Sequence, residues 1–383
     1  MRKKWPRRVL LAFGWYDYRL HRGIEKYAYE HGWVLYVNLA RERVIPWGWQ
    51  GDGILAWLGA GDDLAEFVRL TNKPTVDFSY RRPYLKFARV LEDHAAAARL
   101  VAEHFVERGL RSFAFYSEID NWSYEERGEG FISALAKYGY TCKWLRWNRA
   151  PEYTTSRDQW PRKCMWLARE LKQLPKPLGV FAANDDHALD VLDACKLAGL
   201  SVPEDVAVVG AENYLLAPEA METPISSVDT NLELMGYKGA ELLDRLMNGE
   251  KPPPEPIRIP PAKLIVRKSS DLLAVNHQGV AAALKYLYQH INEPVRIKEL
   301  AAIAGLSGRG LHKAFVQCLG RTPGRELRRI RILRARMLLV DSDKKVEEIA
   351  SLCGYPHLNS FCVAFKHETG LTPSEYRRRF SRT

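Results

Sequence analysis

From residue 8 to about residue 269 the chain alternates two apolar patterns. Short continuous apolar runs (RVLLAF, WVLYVNL, DGILAWL, KPTVDFS, RSFAFYS, PLGVFAA and DVAVVGA) are rich in β-branched and aromatic side chains. Each is followed by a helical stretch, among them HRGIEKYAYEHG, HAAAARLVAEHFVERG, GFISALAKYG and HALDVLDACKLAG. A strand apolar at every position is buried on both faces, and strands of that kind interleaved with helices form parallel sheets covered on both sides. The stretch is too long for one doubly wound sheet and predicts two such subdomains. Further on, the helix in LELMGYKGAELLDRLMNGE leads into the proline-rich KPPPEPIRIPP, which reads as an extended connection to a last strand, KLIVRK. Residues 269–276 read as a linker between an α/β domain spanning 1–268 and an all-α domain spanning 277–383.

In that last stretch a unit occurs twice: ELAAIAGLSGRGLHKAFVQCLGRTPGREL at 299–327 and EIASLCGYPHLNSFCVAFKHETGLTPSEY at 348–376. In each copy apolar residues at helical spacing (Leu300 and Ile303; Ile349 and Leu352) run to a glycine (Gly305; Gly354), where the chain must turn. A second amphipathic helix follows, anchored by Leu311 and Phe315 or by Phe361 and Phe365. It closes at Gly320 or Gly370, each two residues ahead of a Thr-Pro pair. This is the helix-turn-helix pattern, in which the second helix enters the major groove of DNA. A helical repeat array is the competing reading, but solenoids usually need three or more repeats. Between the copies the basic run of Arg325, Arg328, Arg329, Arg331, Arg334 and Arg336, interspersed with Ile332, Leu333, Leu338 and Leu339, predicts one long linking helix.

Charge sharpens the division. Residues 277–383 hold 19 Lys and Arg against 9 Asp and Glu, whereas residues 1–276 hold 38 against 37. Nearly the whole formal charge of +11 therefore sits on the repeat region, as expected of a surface that displaces counterions from phosphates. A hydrophobic content of 46% with 27% charged residues is ordinary for a soluble globular protein. The basic start MRKKWPRRVLLAFG has too short an apolar run for a signal peptide and reads as a first buried strand, and no stretch is long enough to span a membrane. The six cysteines form no CxxC pair, which predicts a reduced cytoplasmic protein with neither disulfide framework nor zinc site.

On these motifs residues 279–379 resemble the two-module DNA-binding domain of the AraC/XylS family, most specifically in RIRILRARMLL, IASLCGY and GLTPSEYRR. One departure is Glu326, where the family usually has an aromatic residue of the kind that Tyr376 supplies in the second copy. The preceding part resembles the sugar-sensing domain of LacI/GalR regulators, a two-lobed periplasmic-binding-protein type I fold with a ligand cleft between the lobes. EDHAAAARLVAEHFVERGLRSFAFYS, FAANDDHALDVLDACKLAGLSVPEDVAVVGAEN and PISSVDTNLELMGYKGAELL carry that likeness. LacI-type proteins place their DNA-binding helices ahead of this domain, whereas here an AraC-type pair follows it. The joined halves are similar to a family of bacterial regulators of xylose use. That resemblance implies a DNA-binding activator of xylose or pentose use genes with D-xylose as effector. It further implies a homodimer paired through the sensor lobes on tandem operator half-sites, with RNA polymerase as a partner and with no cofactor or metal.

A sugar offers many hydroxyls, so its site needs carboxylates and amides, an arginine for bidentate contact and aromatic faces for the C–H side of the ring. In parallel α/β lobes such groups belong on loops after the carboxyl ends of strands. Asn184 and Asp185 follow GVFAA, Glu212 and Asn213 follow VAVVGA, and Asp93 follows ARVLE. Arg127 lies in ERGEGF, where similar sugar regulators place an arginine just before a helix. The resemblance carries ligand contact onto Asp93, Arg127, Asn184, Asp185 and Glu212, the last a departure because relatives mostly have Asp there. A second role stays open to each: Asp or Asn after a strand also caps the next helix, and Arg127 amid Glu125, Glu126 and Glu129 also suits a surface ion pair. In GWYDYRLHRG, Trp15, Tyr16, Asp17 and Tyr18 offer aromatics beside a carboxylate, fit either for a pyranose or for packing between lobes; Trp47 and Trp49 suit edge-strand packing better.

For DNA, the outward early positions of the recognition helices are Arg309, His312 and Lys313 in the first copy and His357, Asn359, Cys362 and Val363 in the second. Arginine pairs with guanine edges, asparagine reads adenine, and valine touches a thymine methyl; the cations also serve as phosphate contacts, which position without specifying. The second module, poorer in polar readers, is expected to add less specificity. Catalysis is not expected: GxSxG, Walker, HExxH and post-strand GxGxxG motifs are all missing.

Overall fold

The computed structural model describes residues 6–37, 39, 44–59, 61–119, 121–148, 159–214, 221–271 and 277–380. It divides into two compact units, 1–107 with 111–272, and 273–383 with 108–110.

The first unit holds two six-stranded sheets. The strands of one are β1 (Arg8–Phe13), β2 (Val34–Tyr36), β3 (Gly53–Trp57), β4 (Thr75–Asp77), β5 (Ala88–Glu92) and β11 (Ile257–Ile259), in the order β11-β5-β4-β3-β1-β2 and parallel throughout. The second contains β6 (Ser112–Glu118), β7 (Lys143–Trp147), β8 (Leu178–Ala182), β9 (Val206–Ala211), β10 (Ser226–Asp229) and β12 (Lys263–Ile265), in the order β12-β10-β9-β8-β6-β7, with only β12 antiparallel. Both follow the doubly wound 2-1-3-4-5 order, which opens a crevice at the carboxyl ends where the order reverses, beside β1 in one lobe and β6 in the other.

Helices α1 (Tyr18–Glu30), α2 (Asp62–Thr71) and α7 (Leu232–Met247) cover the first sheet, whose two faces bury Val9, Leu11 and Val76 on one side and Leu10, Ile54 and Phe67 on the other. Helices α3 (His94–Glu107), α4 (Trp122–Ala136), α5 (Gln159–Gln173) and α6 (Asp185–Ala198) go with the second sheet. One of its faces is an aromatic cluster of Phe113, Phe115, Phe131 and Phe181 in edge and tilted contacts. The chain crosses between lobes three times, at 92–94, 229–232 and 259–263. The third crossing runs through the proline-rich segment: expected to be an extended connection, its IRI core is β11, which adds to the first sheet beside β5. Prolines on either side confine it to the sheet edge. Two further strands, β7 and β10, were not anticipated. KWLRW alternates too much charge for a buried strand, and the serines of SSVD are buried because they are hydrogen-bonded.

The linker expected from residue 269 starts later. Ser269 and Ser270 are fully buried in a 3-10 turn, with Ser269 Oγ donating to the Val208 carbonyl (2.6 Å) and accepting from Ser226 N (2.8 Å), so they belong to the second lobe. Residues 272–276 of that expected linker lie outside the described residues.

The second unit is all helical: α8 (Gln278–Gln289), α9 (Ile297–Ile303), α10 (Gly308–Leu319), α11 (Pro323–Asp341), α12 (Val346–Leu352), α13 (Leu358–Thr369) and α14 (Pro373–Phe380). Each repeat has its own core. Val280, Leu284, Leu287, Leu300, Leu311 and Phe315 fill the first, and Ile349, Cys353, Phe361, Phe365 and Tyr376 the second. The linking helix α11 serves both, sending Ile330 into one and Ile332, Ala335 and Leu339 into the other. Ser307 and Thr322 cap α10 and α11, and Gly320 and Gly370 end the recognition helices at φ +68° and +76°, a left-handed conformation that glycine adopts without strain.

Candidate functional site

At the lobe junction stands Arg127. The helix α4 begins at Trp122, earlier than the pattern suggested, under an Asn121 cap, and carries Arg127 on its buried face with 0% exposure. A buried guanidinium needs partners for its donors, and this one has them at each of its three nitrogens. Nη2 meets Glu92 Oε2 (2.9 Å), Nη1 meets Glu212 Oε1 (2.9 Å) and the Ala183 carbonyl (2.5 Å), and Nε donates to His94 Nδ1 (3.1 Å). Arg127 is thus no surface ion pair. It ties the end of β5 in the first lobe to the ends of β8 and β9 in the second. Burial and two like charges, Glu92 and Asp185, raise Glu212 above the usual carboxylate range although Arg127 opposes them. Arginine Nε can only donate, so His94 must carry its proton on Nε2; burial and the neighbouring Arg127 and Arg258 hold it neutral.

Asp185 is 1% exposed, accepts from Ser227 Oγ (2.5 Å) and from Tyr214 N (3.1 Å), and is pushed up to about 6 by burial. Asn184 caps α6 through its oxygen, which accepts from His187 N (2.9 Å) and from His187 Nδ1 (2.5 Å). Its amide nitrogen faces Tyr124 Oη (3.3 Å). With the oxygen doubly occupied, Asn184 can offer a ligand only N–H. His187 fixes that orientation, since its Nε2 accepts from Glu118 N and burial keeps it neutral, with a pKa lowered to about 3.

Other expected contacts are engaged elsewhere. The Asp93 carboxylate caps α3 by accepting from Ala96 N (2.8 Å), and the acid beside Arg127 is its neighbour Glu92. Asp17 caps α1 through Arg19 N (2.8 Å) and pairs with the Arg19 guanidinium (2.8 Å). Arg19 in turn crosses to the second lobe, donating to the carbonyls of Glu212 (2.7 Å) and Asn213 (3.0 Å). Those two residues sit at φ +88° and +48°, strained for non-glycine residues, so Arg19 helps to hold the loop that presents Glu212. Asn213 receives Arg267 Nη2 on its side-chain oxygen (3.1 Å). Tyr16 is 42% exposed and bonds His21 Nδ1 (2.8 Å), and Trp15 packs on Trp57 with ring centroids 4.7 Å apart. Trp122 bridges the lobes, meeting Tyr80 (5.9 Å) and His94 (5.1 Å). Trp47 and Trp49 pack at the edge, on Phe67 and Tyr36. Sequence reasoning missed Glu92, His94, Tyr124, Ser227 and Arg19. Of these only Glu92 and Ser227, each at a strand's carboxyl end or in a buried SSV run, carried any signal.

In the helical unit Arg309, His312 and Lys313 are exposed on α10 and line one open groove with Gly308, Val316 and Gln317. On α13, Asn359 is exposed and Val363 is 72% exposed, with His357 exposed just ahead of the helix. Cys362 sits differently. It is half-buried against the second module's core, between the buried Phe361 and the exposed Val363. Glu326 is fully buried and pairs with Arg321 and, at 2.7 Å, with Arg329; the matching Tyr376 packs on Phe365 and accepts from Arg336 Nε (2.8 Å). An ion pair thus stands in the first module where an aromatic stands in the second. Among the described residues no group of His, Cys, Asp or Glu is placed to hold a metal ion, and no helix is long and apolar enough to cross a membrane.

A parallel two-lobed sensor whose junction gathers carboxylates, an amide and an arginine, joined to paired helix-turn-helix modules, defines a ligand-responsive, DNA-binding transcription regulator. Family models agree on each half, a periplasmic binding protein-like domain at residues 102–270 and a helix-turn-helix domain at 300–379. The xylose operon regulatory protein of Haemophilus influenzae is 30% identical over 85% of this chain and 84% of its own. The solved structure of the xylose-binding transcription activator xylR superposes with a TM-score of 0.61 at 27% identity, covering 100% of both chains. The activator RhaS of Klebsiella pneumoniae is 35% identical over 30% of this chain and 42% of its own. The chain belongs to the family of xylose operon regulatory proteins.

Proposed function

We propose that this protein senses D-xylose at the lobe junction and activates xylose or pentose use genes as a homodimer on tandem operator half-sites, in contact with RNA polymerase. The observation that carries the reading is the Arg127 junction, where one buried cation meets acids from both lobes, on the same chain as an outward basic recognition helix. A pyranose matches that chemistry. Its hydroxyls donate to Glu212 and Asp185 and accept from the Asn184 amide, while Trp15, Trp57 and Trp122 offer faces to its C–H side. Because Arg127 and Arg19 both span the lobes, a ligand filling the junction binds one lobe arrangement better than another, and that difference is what reaches the DNA-binding end. Residues 1–271 act as the sensor and 277–383 as the DNA-binding domain.

Calorimetry with a panel of aldopentoses and aldohexoses tests the reading. D-xylose is expected to bind most tightly. Failure of every monosaccharide to bind below ~1 mM, a limit of about 4 kcal/mol, would end the sugar-sensor reading and favour a different metabolite.

A further inference from the structure

We propose that Arg331 is a positioning residue that locks the two helix-turn-helix modules at one separation, so that the domain accepts a single spacing between the two DNA segments it reads. The inference rests on both recognition helices reading DNA. The two module cores meet within one turn of a single helix: Ile330 of α11 lies in the first and Ile332, two residues on and on the opposite side, in the second. The shared helix sets the order of the modules along its axis, and a contact off that axis adds a restraint on their relative tilt and rotation.

Arg331, between those two residues, supplies it. Its Nε donates to the Ile291 carbonyl (3.0 Å) and its Nη2 to the Glu293 carbonyl (2.7 Å), both just beyond α8 of the first module. The same guanidinium stands over the Tyr355 ring, 5.6 Å from its centroid, in the turn of the second module. Next to Tyr355 is Gly354 at φ +74°, where an added Cβ would lie 2.6 Å from the Ile291 carbonyl oxygen and 2.7 Å from Arg331 Nη2. The equivalent Gly305 of the first module shares the left-handed conformation, at φ +63°, but a Cβ there would meet nothing within 4 Å. Crowding at Gly354 therefore comes from the seam between modules and not from the turn itself. One planar fork thus joins first-module carbonyls to the second-module turn, a geometry that the point charge of lysine cannot reproduce. Inserting one base pair moves the second DNA segment along the duplex and turns it by about a tenth of a helical repeat, and a bolted pair of helices cannot follow.

The test uses the full chain. A duplex selected by the wild type from random sequence defines the two segments read by one protomer, and one base pair is then inserted between them. The wild type is expected to lose roughly tenfold or more in affinity on the expanded duplex, the scale of a lost base-pair contact. Arg331→Ala is expected to bind the parent duplex more weakly and to discriminate between the two duplexes by less than about twofold. If Arg331→Ala does not fold, judged by its melting curve, Arg331→Lys carries the same comparison, retaining charge and stem without the fork. Gly354→Ala, which pushes the fork aside, is expected to relax discrimination in the same direction. Discrimination equal to wild type in the folded Arg331 variant overturns the proposal, even if overall affinity falls. Selection of no sequence by the wild type overturns the two-helix DNA reading and this inference with it.

Discussion

Replacing Arg127 by methionine keeps the aliphatic stem and removes only the guanidinium. That leaves Glu92 Oε2 and Glu212 Oε1 without their cation, and the Ala183 carbonyl and His94 Nδ1 without a donor. Breaking a buried ion pair from one side costs about 3–5 kcal/mol, and each orphaned neutral acceptor about 1–3 kcal/mol. Glu212 relieves part of this by taking a proton, for which burial already predisposes it, so the expected net loss is about 3–5 kcal/mol. At ~2–4 °C per kcal/mol for a domain of this size, the sensor transition should fall by roughly 6–20 °C at pH 7, read by calorimetric melting of the full chain. Adding Glu92→Gln and Glu212→Gln to the methionine variant removes the uncompensated charges and should restore more than half of the loss. A single variant within about 1 kcal/mol of wild type, or no recovery in the triple variant, would refute the reasoning, because both outcomes require the junction to be hydrated and not buried.

Asp185 supplies a pH prediction of two signs. Its folded pKa, pushed up to about 6 by burial, lies above the unfolded carboxylate value, so its contribution to stability is full below about pH 4 and is lost as pH rises through 6. As a hydroxyl acceptor it must be ionised, so sugar affinity should instead weaken from pH 7 to pH 5, checked by paired melting and calorimetry at both pH values. In the first module, Glu326→Ala removes the carboxylate shared by Arg321 and Arg329 and should cost about 1–3 kcal/mol, whereas Glu326→Tyr, which offers an arginine a hydroxyl acceptor as Tyr376 does in the second module, should cost less, both read by chemical denaturation. Arg309→Ala should cost about 1–3 kcal/mol and relax preference at one base pair, whereas Lys313→Ala should weaken all duplexes alike and reduce the salt slope by about one, both measured by titrations across ionic strength.

Architecture was legible where period and burial coincide. The all-apolar strands around Leu11, Val180 and Val208 and the paired anchors Phe315 and Phe365 each satisfy local and tertiary demands at once. β11 was not legible, because its three residues stand between prolines and gain their place only from the neighbouring β5. Of the candidate site, Arg127 could be singled out from family likeness, and Asn184, Asp185 and Glu212 also from the ends of strands. The choice of Glu92 over Asp93 could not, since two adjacent acids differ only in which way the pleat turns them. His94 and His187 act through tautomers fixed by partners distant in sequence, and a one-dimensional pattern does not encode such partners. The half-burial of Cys362 was hard to read for a similar reason: one residue along a helix is 100° of rotation, enough to take a side chain from the solvent face to the edge of the core.

The central claim is that sugar at the Arg127 junction and DNA at the recognition helices are linked through one chain, and linkage is reciprocal. The direct measurement is DNA affinity by fluorescence anisotropy, using the full chain and its selected duplex with paired half-sites, with and without saturating D-xylose, beside D-xylose affinity with and without that duplex. The account predicts that D-xylose tightens DNA binding by about tenfold, close to 1.4 kcal/mol, and that DNA tightens D-xylose binding by the same factor. DNA affinity unchanged by a bound sugar would contradict it.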